Sequence, residues 1–294
     1  MILLTGGAGQ LGSAIRAAAD QRGLDLIAPT RRELDILDPD LRMLRAAAPT
    51  VVIHCAALAD TRACHDDPAR AFAVNAAGAL HVARACADID ALMVLVSTDA
   101  VFDGRMRAKP YTEDDIPHSP VGVYGTTKLA AEHLIARTCR TLIARTGWLF
   151  CDDPLRDRKL LGVLVRRVEA GQRVEVVTDK WGSPAFAPHV ASKIVDYAAA
   201  GVEGVRHVVN RGVVTRYEFA RYVFSGLGYP EVEPATFGTF PDRMARPDYS
   251  ALASVHHDAA LPHWRSAVDE LVRGVRERAP HPPPAMQTQP PARR

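Results

Sequence analysis

None of the five cysteines, Cys55, Cys64, Cys86, Cys139 and Cys151, stands in a Cys-x-x-Cys pair. An odd number of thiols, most of them inside apolar segments, excludes a disulfide framework and reads as reduced core residues of a cytoplasmic protein. Long hydrophobic runs are lacking too: the longest, such as Ala91 to Val96, fall far short of the roughly 18 residues that cross a bilayer. Met1 leads straight into Ile2-Leu3-Leu4 without a basic stretch or a small-residue cleavage site, so no secretory signal and no membrane partner are expected. Neither sign of charge prevails. With 36 basic residues against 34 acidic ones and no basic face, nucleic acid is not an expected partner.

What is present is a globular composition. Of the 294 residues 48% are hydrophobic and 24% charged, enough for one large domain or two modest ones. Across the first half, short apolar runs alternate with amphipathic stretches, the rhythm of a parallel sheet with crossover helices. Ile2–Thr5, Asp25–Ala28, Val51–Cys55, Leu92–Ser97 and Thr141–Ala144 read as buried strands. Residues 10–22, 39–47, 68–87 and 120–138 carry apolar positions at helical spacing and read as the helices between them. This predicts an α/β fold with a doubly wound parallel sheet over residues 1–150. After Arg145 the rhythm loosens into helices near 158–170, 188–200 and 217–227 and strands at Val174–Val177 and Val205–Val209, with Pro and Gly frequent between 228 and 250. Residues 151–278 are expected to form mainly a smaller substrate lobe, interleaved with the first domain because elements near 188–225 return to it. From 279 to 294 six of sixteen residues are proline, which predicts a disordered tail.

Directly after the first strand, Thr5-Gly6-Gly7-Ala8-Gly9-Gln10-Leu11-Gly12 opens a helix. A dinucleotide pyrophosphate needs a close backbone and a helix N-terminus aimed at its charge, and side chains at the glycine positions would block that approach. Gly6, Gly9, Gln10, Leu11 and Gly12 are therefore cofactor-binding candidates. The choice of dinucleotide falls at the end of the second strand, where an acid would hold a ribose hydroxyl and a base a 2′-phosphate. Ala28-Pro29-Thr30-Arg31-Arg32 offers no acid there, so Arg31 and Arg32 favour NADPH, with NADH as the alternative. Asp35 either reaches the adenine edge or caps the next helix.

Tyr124-Gly-Thr-Thr-Lys128 starts a helix, and the four-residue spacing sets a phenol and an ammonium one turn apart on one face. A nearby ammonium favours the phenolate, so a lowered tyrosine pKa is expected. Ser97-Thr98-Asp99 lies at the carboxyl end of the fourth strand, where open α/β sheets place ligands. Thr98 can hold a carbonyl oxygen beside the phenol, next to a nicotinamide anchored by the glycine turn.

The turn Thr5 to Gly12, the segment Ser97-Thr-Asp-Ala-Val-Phe-Asp-Gly104, Tyr124-Gly-Thr-Thr-Lys-Leu-Ala-Ala-Glu132 and Arg145-Thr-Gly-Trp-Leu-Phe150 resemble the extended short-chain dehydrogenase/reductase superfamily. Within it the sequence is most similar to the dTDP-4-dehydrorhamnose reductase family, and the likeness runs to about residue 273 through Asp179-Lys-Trp-Gly-Ser-Pro184 and Arg246-Pro-Asp-Tyr-Ser250. The resemblance implies a Rossmann-type doubly wound sheet with a C-terminal substrate lobe. It implies NADPH-dependent reduction of a 4-keto-6-deoxy nucleotide sugar, with Thr98, Tyr124 and Lys128 as catalytic residues. Asn75, Tyr124, Lys128 and the Ala56-Ala57 pair after the third strand would then line the cofactor, and Thr98, Asp99, Trp148, Trp181 and Arg246 the sugar nucleotide. Trp148, Trp181 and Arg246 read equally well as lobe packing.

The sequence departs from that family at Ala100, where relatives usually carry tyrosine, and over Leu58-Ala-Asp-Thr-Arg62. Some relatives bind magnesium through glutamates, one near the start of the first helix; Gly12-Ser-Ala-Ile-Arg16 carries none, and no metal is predicted. Two other functions share the motifs: a nucleotide-sugar epimerase, and a non-catalytic regulatory subunit like the methionine adenosyltransferase β subunit. A dehydratase would need an acid at Ala100. The expected partner is a nucleotide sugar, with a homodimer as the assembly the sequence leaves open.

Overall fold

The computed structural model describes residues 1–240 and 244–278; the proline-rich 279–294 lies outside the described residues. Six strands, β1 (Ile2–Thr5), β2 (Leu26–Ile27), β3 (Val51–His54), β4 (Leu92–Thr98), β5 (Thr141–Thr146) and β10 (Gly204–His207), form one sheet in the order β10-β5-β4-β3-β1-β2. Every neighbouring pair is parallel. The period-two alternation of a strand divides its side chains between two cores. Ile2, Leu4, Ile53 and Val94 face helices α1 (Gln10–Asp20) and α8 (Ala187–Ala200), meeting Ile15, Val190 and Ile194. Leu3, Val52, Met93 and Leu95 face the other side, where α2 (Arg42–Ala47), α5 (Gly78–Asp88) and α6 (Val123–Ile135) supply Leu44, Val82 and Ile135.

Between β3 and α5 the chain forms α3 (Thr61–Asp66), α4 (Pro68–Phe72) and a wide π turn over Ala73–Ala77. The single helix read at 68–87 is thus interrupted, and its α3 neighbour, capped by the Asp60 carboxylate on Arg62 N and Ala63 N, was hidden in a stretch without apolar periodicity. Strand β2 is two residues shorter than the reading Asp25–Ala28, because Ala28 instead packs its Cβ against Gly7.

The second half makes a lobe with its own core, in which Phe150, Leu161, Val165, Phe186, Phe224 and Trp264 are buried together. Four two-stranded ladders frame it: β6 (Trp148–Phe150) with β9 (Pro184–Phe186), β7 (Glu175–Val177) with β13 (Glu233–Ala235), β8 (Trp181–Gly182) with β12 (Val214–Thr215), and β11 (Asn210–Arg211) with β14 (Leu261–His263). Its helices are α7 (Leu160–Glu169), α9 (Arg216–Leu227) and α10 (Trp264–Arg278). Helix α9 starts on a capping box between Thr215 and Glu218. Both α8 and β10 return to the main sheet. No helix among the described residues is long and apolar enough to cross a membrane.

Helix α6 lies so close to the turn after β4 that a Cβ on Gly125 would overlap Ala100 O and stand 2.9 Å from Pro120 Cβ. Overpacking of this kind typically costs about 1–3 kcal/mol. Urea unfolding of Gly125→Ala is expected to show a loss of that size.

Candidate active site

The carboxyl ends of β1, β3, β4 and β5 open on one crevice beneath the lobe, and the polar residues found there are buried: Thr5, His54, Thr98 and Thr146. At its β1 side, Gly6 turns the chain with φ +70°, and a Cβ there would stand 2.7 Å from Ala56 N. A Cβ on Gly12 would overlap Gly6 O. Gly9 is the N-cap of α1 and caps it with no side chain, so the first N–H groups of that helix face the crevice. Leu11 is buried in the core behind the turn, whereas the Gln10 amide is tied to the lobe: Nε2 donates to Asp157 Oδ2 at 3.1 Å and Oε1 accepts Arg158 N at 3.3 Å. The fully buried Asp157 also accepts Cys151 N and Lys159 N, and Lys159 Nζ donates to Ala59 O at 3.2 Å. The segment 151–159 therefore straps across from the glycine turn to the loop after β3. Ala56 and Ala57 are half-buried on that loop.

Arg31 and Arg32 are exposed in the turn after β2, and Arg31 Nε lies 3.6 Å from Asp35 Oδ2. Asp35 itself caps Leu37 N. Glu33 is engaged by Thr30.

The π turn places Asn75 under the loop after β3. Its Oδ1 accepts Leu58 N at 2.7 Å, and its Nδ2 donates to Leu58 O at 3.1 Å and to Thr127 Oγ1 at 3.0 Å. An extra residue in a helical turn re-aims a side chain, and here it brings an amide against α6.

Tyr124 and Lys128 stand one turn apart in α6. Lys128 is 3% exposed and its Nζ donates to Val96 O at 2.8 Å, so it is no surface lysine with a buried stem. Burial lowers its pKa to about 8, opposed by the charge of Glu132 one turn on. Glu132 is itself buried and carries a network: Arg145 Nη2 at 2.8 Å, Arg145 Nε at 3.1 Å and the Ser97 hydroxyl at 2.5 Å. Arg145 Nη1 reaches His207 Nε2 at 3.3 Å. The ammonium also helps burial hold His54 neutral, with its pKa lowered to about 3, while burial pushes the Cys55 thiol up to about 12.

The phenol of Tyr124 does not show the expected acidity. Burial raises its pKa, the Asp99 carboxylate raises it further, and the Thr98 hydroxyl opposes both. The reason is geometric: Lys128 aims its charge at Val96 O, and the nearest ionic neighbour of the phenol is an acid. Thr98 donates to Asp99 Oδ1 at 3.0 Å and accepts Ala100 N at 3.2 Å. Asp99, 8% exposed, has its own pKa raised by burial and lowered by Ser250, Thr98 and Arg216.

On the lobe side, Arg216 at the start of α9 sits over the Trp148 ring, 4.7 Å from its centroid. Trp148 packs on Gly182, where any Cβ would overlap its indole. Burial and the neighbouring Arg246 lower the Arg216 pKa to about 10. Arg246 Nη1 donates to Thr61 Oγ1 and so links the lobe to α3 across the mouth of a cleft of about 170 Å³ that Tyr124, Ala100 and His65 also line. Lys180, bound to Asp248 at 2.5 Å and to Arg246 O at 3.3 Å, steadies the segment that carries Arg246. Trp181 is half-buried against the main core and joins Tyr249 in a β-bridge, whereas Trp148, also half-buried, packs on the core of the second half. Among the described residues no three His, Cys, Asp or Glu side chains are grouped to hold a metal ion. Arg216 went unread in the sequence because it belongs to no ligand motif; Glu132 and Arg145 stood within quoted motifs with nothing to say that they pair, and Asp157 lay just before a predicted helix.

His54 yields a stability test. With a folded pKa near 3 against 6.5 in the unfolded chain, the unfolded state binds the extra proton as pH falls below 6.5, so stability is lost from there down toward pH 3. Replacing His54 by Gln is expected to flatten that acid slope in melting curves taken from pH 7 to pH 4.

A family model described as RmlD substrate binding domain matches residues 1–277. A dTDP-4-dehydrorhamnose reductase from Mycobacterium tuberculosis is 40% identical over 281 residues, covering 91% of this chain and 90% of that protein. A dTDP-4-keto-6-deoxy-D-glucose reductase from Streptomyces niveus is 34% identical over 288 residues, covering 91% of this chain and 95% of that protein. The crystal structure of a dTDP-4-dehydrorhamnose reductase from Bacillus anthracis in complex with NADP superposes with a TM-score of 0.86 at 27% identity, covering 92% of this chain and 97% of the other.

Proposed function

We propose a function from the family to which the chain belongs, the one described as RmlD substrate binding domain: it is an NADPH-dependent reductase of a dTDP-linked 4-keto-6-deoxysugar. Relatives at 34–40% identity carry reductase names of that substrate class, and the fold neighbour from Bacillus anthracis was crystallised with NADP. The observation that carries the reading is the placement of Tyr124, Thr98 and Lys128 together at the strand ends, beside a glycine turn whose helix N-terminus is uncapped by any side chain.

The crevice fits a dinucleotide. Gly6 and Gly12 are held without side chains by close backbone contacts, which keeps the turn tight against the N-terminus of α1, and the exposed Arg31 and Arg32 after β2 would pair with a 2′-phosphate. When bound, the cofactor supplies a hydride to the keto carbon. Tyr124 gives its proton to the keto oxygen as that carbon is reduced, and the raised pKa of the phenol keeps the proton in place until the oxygen becomes basic enough to take it. Thr98 orients the same oxygen. Lys128, one turn along α6, would stabilise the phenolate left behind and hold the nicotinamide ribose, roles that require its Nζ to turn from Val96 O. Arg216 and Arg246 hold two like charges close together in a partly enclosed cleft, an arrangement whose repulsion a diphosphate relieves. Trp148 carries the Arg216 guanidinium over its ring and packs on Gly182, and so would act on the sugar nucleotide by holding that guanidinium in place.

The test is loss of NADPH absorbance on incubation with dTDP-4-keto-6-deoxysugars. Tyr124→Phe is expected to lower turnover by about 10²–10⁴-fold while NADPH binding persists. The wild-type rate should fall as pH rises through about 8, where Lys128 loses its charge; a rate that climbs steadily past that pH would contradict the assigned roles.

A further inference from the structure

Strand order turns back at β1. Helix α1 leaves that strand over one face of the sheet, and the return through α2 to β3 runs over the other, so the carboxyl ends of β1 and β3 flank the crevice in which open sheets of this kind hold a ligand. At its floor the two loops touch, since a Cβ on Gly6 would stand 2.7 Å from Ala56 N. Farther out the same two loops are joined a second time, by residues 151–159. Gln10, after β1, donates from Nε2 to Asp157 Oδ2 at 3.1 Å and accepts Arg158 N on Oε1 at 3.3 Å, while Ala59 O, after β3, accepts Lys159 Nζ at 3.2 Å. The crevice has a floor and a roof.

The roof is stiff within itself and lightly fastened. The fully buried Asp157 carboxylate gathers Cys151 N at 3.1 Å, Lys159 N at 2.7 Å and Gly162 N at 3.3 Å, and Arg166 Nη1 donates to Leu155 O at 3.3 Å and to Asp157 O at 3.0 Å. These bonds tie the segment to itself and to α7. Among the described residues its hydrogen bonds to the sheet side are those at Gln10 and Ala59. No apolar core backs the Gln10 fastening: a cavity of about 940 Å³ is lined by Gly9, Ser13 and Ala17 along α1 and by Asp153, Arg156 and Arg158 of the strap. A segment with few bonds to its surroundings and little apolar contact beneath it opens as a unit at low cost. All the fastenings are made by the chain's own atoms, so they hold the strap down with or without a dinucleotide under it.

We propose that the strap 151–159 is the gate of the dinucleotide crevice and that Gln10, held by Asp157, is its latch, which lifts for NADPH to enter and for NADP to leave. The proposal rests on the assigned use of NADPH and adds to it how the cofactor is exchanged. Asp157 acts through Gln10 and is a positioning residue. A latch has a kinetic signature that a ligand contact lacks. A side chain that touches the bound cofactor slows release alone, whereas a latch slows passage in both directions and leaves affinity nearly unchanged.

The test measures NADPH association with the full chain by stopped-flow fluorescence, and dissociation by displacement with excess NADP. Gln10→Leu keeps the length of the side chain and removes both of its bonds to the strap. Association and dissociation are each expected to quicken about tenfold, as loss of two hydrogen bonds allows, with Kd changed less than threefold. Unchanged rates overturn the proposal, and so does a faster dissociation with association unaltered, which would make Gln10 a direct contact of the cofactor. Should Gln10→Leu fail to fold, Gln10→Ala, which strips the same bonds and leaves a strong helix former at the start of α1, decides on the same criterion. A wild type that binds no NADPH refutes the cofactor assignment instead.

Discussion

A charged amine held out of water against the carbonyl of Val96 is the constraint around which the crevice is organised. Burying Lys128 is unfavourable, as its lowered pKa records, and the surrounding structure offsets that cost with Glu132 one turn later on the same helix. Glu132 cannot be buried alone either. Arg145 of β5 meets it with a forked contact and Ser97 of β4 adds a hydroxyl, so the ends of two central strands and one helix are locked in register by a single polar cluster. Deleting one member of such a pair typically costs about 3–5 kcal/mol, because the other is left charged and dry. The same cluster holds the helix that carries the phenol at a fixed height above Thr98.

Much of this arrangement could be read from the residues alone, because it rests on local periodicity. The strands Leu92 to Thr98 and Thr141 to Thr146 are continuous apolar runs, the helix at Tyr124 carries its two polar groups four residues apart, and the glycine turn follows its strand without an intervening residue. The Glu132–Arg145 pair was visible only as letters within motifs, since nothing in either segment says that they face each other. Arg216 illustrates the other limit. Its place over Trp148 depends on where α9 begins, and that is fixed by the local Thr215–Glu218 capping box and by a ladder to Trp181, more than thirty positions away in the chain. The acidity of Tyr124 was misjudged for a related reason: spacing places the ammonium on the same face, but the direction in which it points is decided by a strand carbonyl.

The two walls of the cleft answer to different parts of the chain. Thr98, Tyr124 and Lys128 come from the sheet and α6, whereas Arg216 and Arg246 come from the second half of the chain, and Thr61 with Arg246 joins the two walls at the mouth.

The wide turn at Ala73–Ala77 carries a lesson about inheritance. One surplus residue in a helix shifts the phase of everything beyond it by about 100°, so the amide of Asn75 owes its place to the count of residues as much as to being asparagine. A lineage that lost this one residue would keep the asparagine yet turn it toward the wrong neighbours, and the only trace in an alignment would be a single gap.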